Sequence, residues 1–76
     1  MKKYRTFEVS EDTQHLKGTI NMRLDEDDTS IFKKLRELGF NTNKRKNKIV
    51  WWDDDYIEII NKRTELTVGI MEMCYN

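Results

Sequence analysis

Along Leu16 to Leu24 the residues LKGTINMRL place Leu16, Gly18, Ile20, Met22 and Leu24 on one parity and Lys17, Thr19, Asn21 and Arg23 on the other. Successive side chains leave a pleated backbone on opposite sides, so this alternation predicts a strand with one wet face. The upstream run YRTFEV alternates less cleanly, Arg5, Phe7 and Val9 against Tyr4, Thr6 and Glu8, and the polar SEDTQH between the two runs reads as a loop. A hairpin is expected. The period then changes. In DEDDTSIFKKLRELGF the apolar residues Ile31, Phe32, Leu35 and Leu38 recur at helical spacing behind a cluster of acids, with Lys33, Lys34 and Arg36 following. Asp28, Thr29 or Ser30 can cap the first turn, the acids oppose the positive end of the helix, and Gly39 suits the left-handed residue that stops it, with Phe40 folding back on Leu35. A helix this short is marginal in water and must lay its apolar stripe on a sheet.

The stretch KRKNKIVWWDDDYIEII, residues 44–60, is resolved by the same parity count. With Asp53, Asp54 and Asp55 as a hairpin connection, Trp52 lies across from Tyr56, Trp51 from Ile57, Val50 from Glu58 and Ile49 from Ile59. One face collects Ile49, Trp51, Ile57 and Ile59; the other collects Lys48, Val50, Trp52, Tyr56, Glu58 and Ile60. A second turn at Asn61, Lys62, Arg63 and Thr64 sets Ile59 opposite Leu66, Ile57 opposite Val68 and Tyr56 opposite Gly69. On that register Leu66, Val68 and Ile70 point inward, and Gly69, Met71, Met73 and Tyr75 share the outer face. The expected fold is a single α+β domain spanning residues 1–76, strand order in sequence ββαβββ, an antiparallel-rich sheet with one helix packed on one face.

Neighbouring indoles on a regular strand diverge, so Trp51 and Trp52 cannot share one core, and a single helix cannot cover both sides of a sheet. An uncovered face made of Val50, Trp52, Tyr56, Ile60, Met71, Met73 and Tyr75 is therefore expected to bind a protein partner, since aromatics and methionine are enriched at interface centres. The last strand overruns its neighbour, so IMEMCYN needs a further strand beside it, either the N-terminal one or a second chain, and a homodimer is expected.

Composition bounds the remaining chemistry. Fourteen basic residues balance fourteen acidic ones in 76 residues, so no whole-molecule field draws the chain to nucleic acid or to an anionic membrane. A local patch is still available: Lys33, Lys34, Arg36, Lys44, Arg45, Lys46 and Lys48 lie in a stretch with Glu37 as its one acid, giving nucleic-acid binding as the alternative function. The single cysteine, Cys74, excludes an internal disulfide framework and suits the cytoplasm. No apolar run is long enough for a signal or a membrane span. The acids Asp25 to Asp28 fail the calcium-loop pattern, with Ser30 where glycine is required and Arg36 where glutamate is, so no metal and no cofactor is expected. His15 and Cys74 have no placed catalytic partners and no glycine-rich phosphate loop is present, so the chain is not expected to be an enzyme.

The segment IFKKLRELGFNTNKRKNKIVWW resembles the start of small toxin-like RNA-binding domains of the HicA type, but the glycine, serine and histidine of that family's active motif are missing, so no residue role transfers. In size and in its proline-free, lysine- and asparagine-rich composition the chain is similar to accessory proteins of phages and mobile elements. That likeness implies inhibition or modulation of a host protein by occupying its surface.

Overall fold

The computed structural model describes residues 4–12 and 15–74. Two strands, β1 (Tyr4–Glu11) and β2 (His15–Arg23), precede the helix α1 (Asp28–Glu37), and three follow it, β3 (Asn47–Asp53), β4 (Tyr56–Asn61) and β5 (Thr67–Met73). The strands form one antiparallel sheet in the order β2-β1-β5-β4-β3. The α+β fold and its ββαβββ sequence are as the patterning predicts. Because β2 and β3 are the two edges, the segment between them must cross the whole sheet, and α1 makes that crossing.

The helix forms where the periodicity places it. Its N-cap is Asp27, whose carboxylate accepts from the Ser30 amide at 2.8 Å, so the cap lies one residue ahead of the expected candidates. At the other end Gly39 takes φ +99°, the Phe40 amide donates to Leu35 O at 2.9 Å and the Gly39 amide to Arg36 O at 3.0 Å. This pair of bonds satisfies the orphan carbonyls of the last turn and turns Phe40 back under the helix. Ile31, Phe32 and Leu35 are buried against Phe7, Val9, Ile20, Met22, Ile57, Ile59 and Met71 on one face of the sheet. Each of these helix side chains contributes roughly 1.5–3 kcal/mol by leaving water, which is what holds a ten-residue helix in place.

Three bulges shape the sheet. In β2 the pairing moves from Val9–Gly18 to Ser10–Leu16, so Lys17 is an extra residue and Leu16 turns out to solvent at 62% exposure. In β3 the pairs Trp51–Ile57 and Asp53–Tyr56 leave Trp52 without an opposite residue, replacing the expected Trp52–Tyr56 pair. Both edge strands are thus bulged, a device that twists an edge away from further pairing.

The third bulge overturns the expected faces of β5. Asn61 closes the β4–β5 connection on Leu66 through an amide bond of 2.9 Å, two residues beyond the expected register, and the ladder then passes from Ile60–Thr67 to Ile59–Gly69, leaving Val68 extra. The two-residue offset preserves parity, but the single bulged residue reverses it. Ile57 accordingly faces Met71 rather than Val68, and Tyr56 faces Glu72 rather than Gly69. Gly69 does make room for a ring, that of Phe40: a Cβ there would lie 2.5 Å from the ring's Cζ and 3.1 Å from Ser10 O. Among the described residues the last strand finds its neighbour within the chain, β5 pairing with β1 from Phe7–Met73 to Glu11–Gly69, so Gly69–Met73 needs no strand from a second chain.

Candidate functional site

The face of the sheet away from α1 is where most of the proposed partner-binding residues lie. Trp51 turns to the covered side and meets Phe7 edge-on, with ring centroids 6.2 Å apart, while Trp52 beside it is 61% exposed. The divergence of the two indoles is as the parity count requires, and the bulge releases Trp52 further by removing its cross-strand partner. Val50, Tyr56 and Ile60 share the open face and are half-buried by their neighbours. Ile70, expected inside, joins them from β5 at 8% exposure, placed opposite Glu58.

Two of the expected residues do not belong there. Met71 is fully buried in the core and Met73 packs against the same core cluster, both because the Val68 bulge turns them under the helix. Tyr75 lies outside the described residues. The register brings glutamates to the middle of the open face instead. Glu8 on β1 sits directly opposite Glu72 on β5, Glu72 is opposite Tyr56, and Glu58 is on the next open-face row. Like charges placed opposite each other on adjacent strands are unfavourable. Among the described residues neither Glu8 nor Glu72 has an ion pair, and Glu58 is held by the Thr67 hydroxyl, which donates to it at 2.5 Å. Partial burial, with Glu58 and Glu72 adding to it, pushes the Tyr56 hydroxyl above its ordinary range. The open face is therefore aromatic and acidic rather than aromatic and methionine-rich.

The expected basic residues separate into groups. Lys34 is withdrawn from any ridge: its ammonium lies 2.6 Å from the Glu26 carboxylate, donates to Asn21 O at 2.7 Å and sits 5.4 Å from the centre of the Tyr4 ring. Lys33 is exposed on the helix, and Lys48 is exposed on β3 opposite Ile60. Arg36, Lys44, Arg45 and Lys46 do come together, because the segment after Phe40 runs beside the helix, with Lys44 Nζ donating to Thr29 Oγ1 at 3.2 Å and Arg36 donating to Thr42 O at 3.5 Å. The β4–β5 turn adds Lys62 and Arg63, which the sequence had marked only as turn residues. The Lys62 amide donates to Lys46 O at 2.9 Å and its ammonium to Lys44 O at 3.0 Å. A segment fifteen or more residues away is not recoverable from local spacing, and this convergence has no signal in the sequence beyond the two cations themselves.

One further charged group stands apart. Glu26 is only 7% exposed and accepts from the Arg23 amide at 3.1 Å, the Ser30 hydroxyl at 2.7 Å and Lys34. Burial opposes its charge, but the Lys34, Ser30 and Arg23 hydrogen bonds outweigh burial and hold its carboxyl below the usual range. These contacts pin the β2–α1 corner, a structural task. Among the described residues no three His, Cys, Asp or Glu side chains converge as a metal site, and no helix is long and apolar enough to cross a membrane.

Comparison with protein-family models, with curated proteins and with solved structures finds no match to this chain.

Proposed function

We propose that the protein is a small non-catalytic binding module that inhibits or modulates a protein partner by occupying its surface with the open face of the sheet. The observation that carries this reading is Trp52, a large side chain 61% exposed on a bulged edge strand, next to Tyr56, Val50, Ile60 and Ile70 on a face no element of the described chain covers. Tryptophan and tyrosine supply most binding energy at interfaces because they offer large rigid contact area at little cost in side-chain freedom. The carboxylates of Glu8, Glu58 and Glu72 set the partner's chemistry: apolar groups to seat the indole, flanked by lysine or arginine side chains that relieve the repulsion between Glu8 and Glu72.

The test is affinity isolation from the cells in which the protein naturally acts, followed by calorimetry on the isolated partner. Trp52→Ala is expected to weaken that association by about 2 kcal/mol, roughly thirtyfold, the usual size of a hot-spot truncation. An equally tight complex with the Trp52 variant and with a Tyr56→Ala variant would remove the open face from the interface. Solution mass of the wild type distinguishes a foreign partner from a second copy on the same face.

A further inference from the structure

We propose that the opposite chemistry, where the segment 43–46 beside α1 meets the β4–β5 turn, is a second binding site, specific for the phosphate backbone of a nucleic acid. Arg36, Lys44, Arg45, Lys46, Lys62 and Arg63 come from three separate segments and all six are exposed; Arg45 and Lys46 line one groove with Lys62 and Arg63 and an adjoining one with Arg36 and Lys44. Among the described residues none of them forms an ion pair; the partners of Arg36, Lys44 and Lys62 are neutral oxygens of Thr42, Thr29 and Lys44. Holding six like charges together without ion pairs among the described residues opposes folding, and the fold nevertheless fastens the two basic segments to each other by the Lys62 bonds to Lys44 O and Lys46 O.

The loops that carry these cations are also held in shape. Asn43 Oδ1 accepts from the Lys46 amide at 2.9 Å, and Asn61 Oδ1 accepts from the Arg63 and Thr64 amides, each at 2.9 Å. Positively charged side chains on braced turns meet an anion with less ordering cost than the same side chains on a mobile loop. Arg45, Lys46, Asn61, Lys62 and Arg63 line a shallow groove, and a second groove beside it is bounded by Glu11 and Asp12, which limits the positive area to one end.

Nucleic acid fits this end better than an acidic protein does. Protein interface centres are rich in aromatics and poor in lysine, whereas phosphate contacts are made by arginine, lysine and backbone-braced polar loops. No aromatic side chain is exposed in the groove, so base stacking is absent and recognition falls on the backbone, without sequence preference. The zero net charge of the chain is no obstacle, because part of its acid lies well away from this groove: Asp53, Asp54 and Asp55 are at the β3–β4 connection, at the other end of the strands from Lys62 and Arg63.

Fluorescence anisotropy with a labelled 20-nucleotide DNA strand and its duplex, across a salt series, tests the site. For about four neutralised phosphates the log–log slope on duplex is about −3.6, close to a hundredfold loss between 50 and 200 mM salt. Lys62→Ala with Arg63→Ala is expected to make that slope shallower by about two, while Lys62→Arg with Arg63→Lys and Trp52→Ala leave it unchanged. Circular dichroism checks that each variant folds. Absence of binding to both probes at 50 mM salt, an unchanged slope in the double alanine variant, or equal competition by polyglutamate of matched charge would each overturn the proposal. None of these outcomes bears on the open face, whose reading rests on the Trp52 test.

Discussion

The two faces of this sheet are built by the same strands and differ by one parity step, yet they are held by different physics. On the covered face Phe7, Val9, Ile57, Ile59 and Met71 are fully excluded from water by Ile31, Phe32 and Leu35 above them, and Phe40 fills the notch over Gly69. On the open face Ile70 is buried between Glu58 and Ser10 on the adjacent strands, Val50, Tyr56 and Ile60 remain half-exposed, and glutamates occupy positions where a core would place apolar residues. The first face is close-packed and intolerant of volume change; the second is soft, charged and able to accept another surface. Close packing is thereby concentrated on one side of the sheet, and the proposed binding surface lies on the other.

Substitutions can break that separation, and the largest effect belongs to the covered face. Phe32→Ala, which empties the centre of the helix stripe, is expected to cost about 3–5 kcal/mol, a large part of the 5–15 kcal/mol that such domains possess, and urea denaturation measures it. Gly69→Ala follows at about 1–3 kcal/mol, because the added methyl must displace the Phe40 ring and approaches the Ser10 carbonyl, neither of which can move freely. An unaltered denaturation midpoint for Gly69→Ala would mean that Phe40 does not sit in that notch.

Lys34→Ala sharpens the comparison at the corner between the faces, at about 2 kcal/mol, by leaving the nearly buried Glu26 carboxylate without its charged partner. The sign of its pH dependence follows from the direction of the shift. The folded pKa of Glu26 lies below its unfolded value, so the stability it contributes is fully present above the unfolded value and is lost as pH falls through the folded one. Thermal unfolding followed from pH 7 into the acid range is expected to show a steeper loss in wild type than in Lys34→Ala, whose Glu26 no longer has the depressed pKa. The smallest effect on stability is Trp52→Ala, within about 0.5 kcal/mol, since the side chain is mostly in water already. Global unfolding of that variant would place Trp52 in the core and erase the distinction between the faces.

Much of the covered face was legible in advance. The helix could be read from Ile31, Phe32, Leu35 and Gly39, the β3–β4 register from the match of Ile49 with Ile59 and Trp51 with Ile57, and the split between the two indoles from adjacency alone. The faces of β5 are the reverse of those the alternation predicts, although the sequence carries a signal for the reversal. Placing Val68 and Ile70 inward also sends Glu72 inward, and a charged residue under the helix should have counted against that register. Leu16 is reversed in the same way, through the extra residue at Lys17. The basic end was half visible: Lys44, Arg45 and Lys46 are contiguous, but Lys62 and Arg63 join them only through a turn that folds back on Lys44 and Lys46.

The order of hydrophobic and polar residues by itself determined which segments are strands, where the helix starts and stops, and that one side of the sheet must remain without a helix, because these follow from periods of 2 and 3.6 residues and from the number of elements available to cover a surface. Which residues occupy that side was decided only in three dimensions. A single bulged residue exchanges the two faces of a strand at little local cost, and the choice between registers is made by what the face then meets: Phe40 needed the notch at Gly69, and β5 needed β1 beside it.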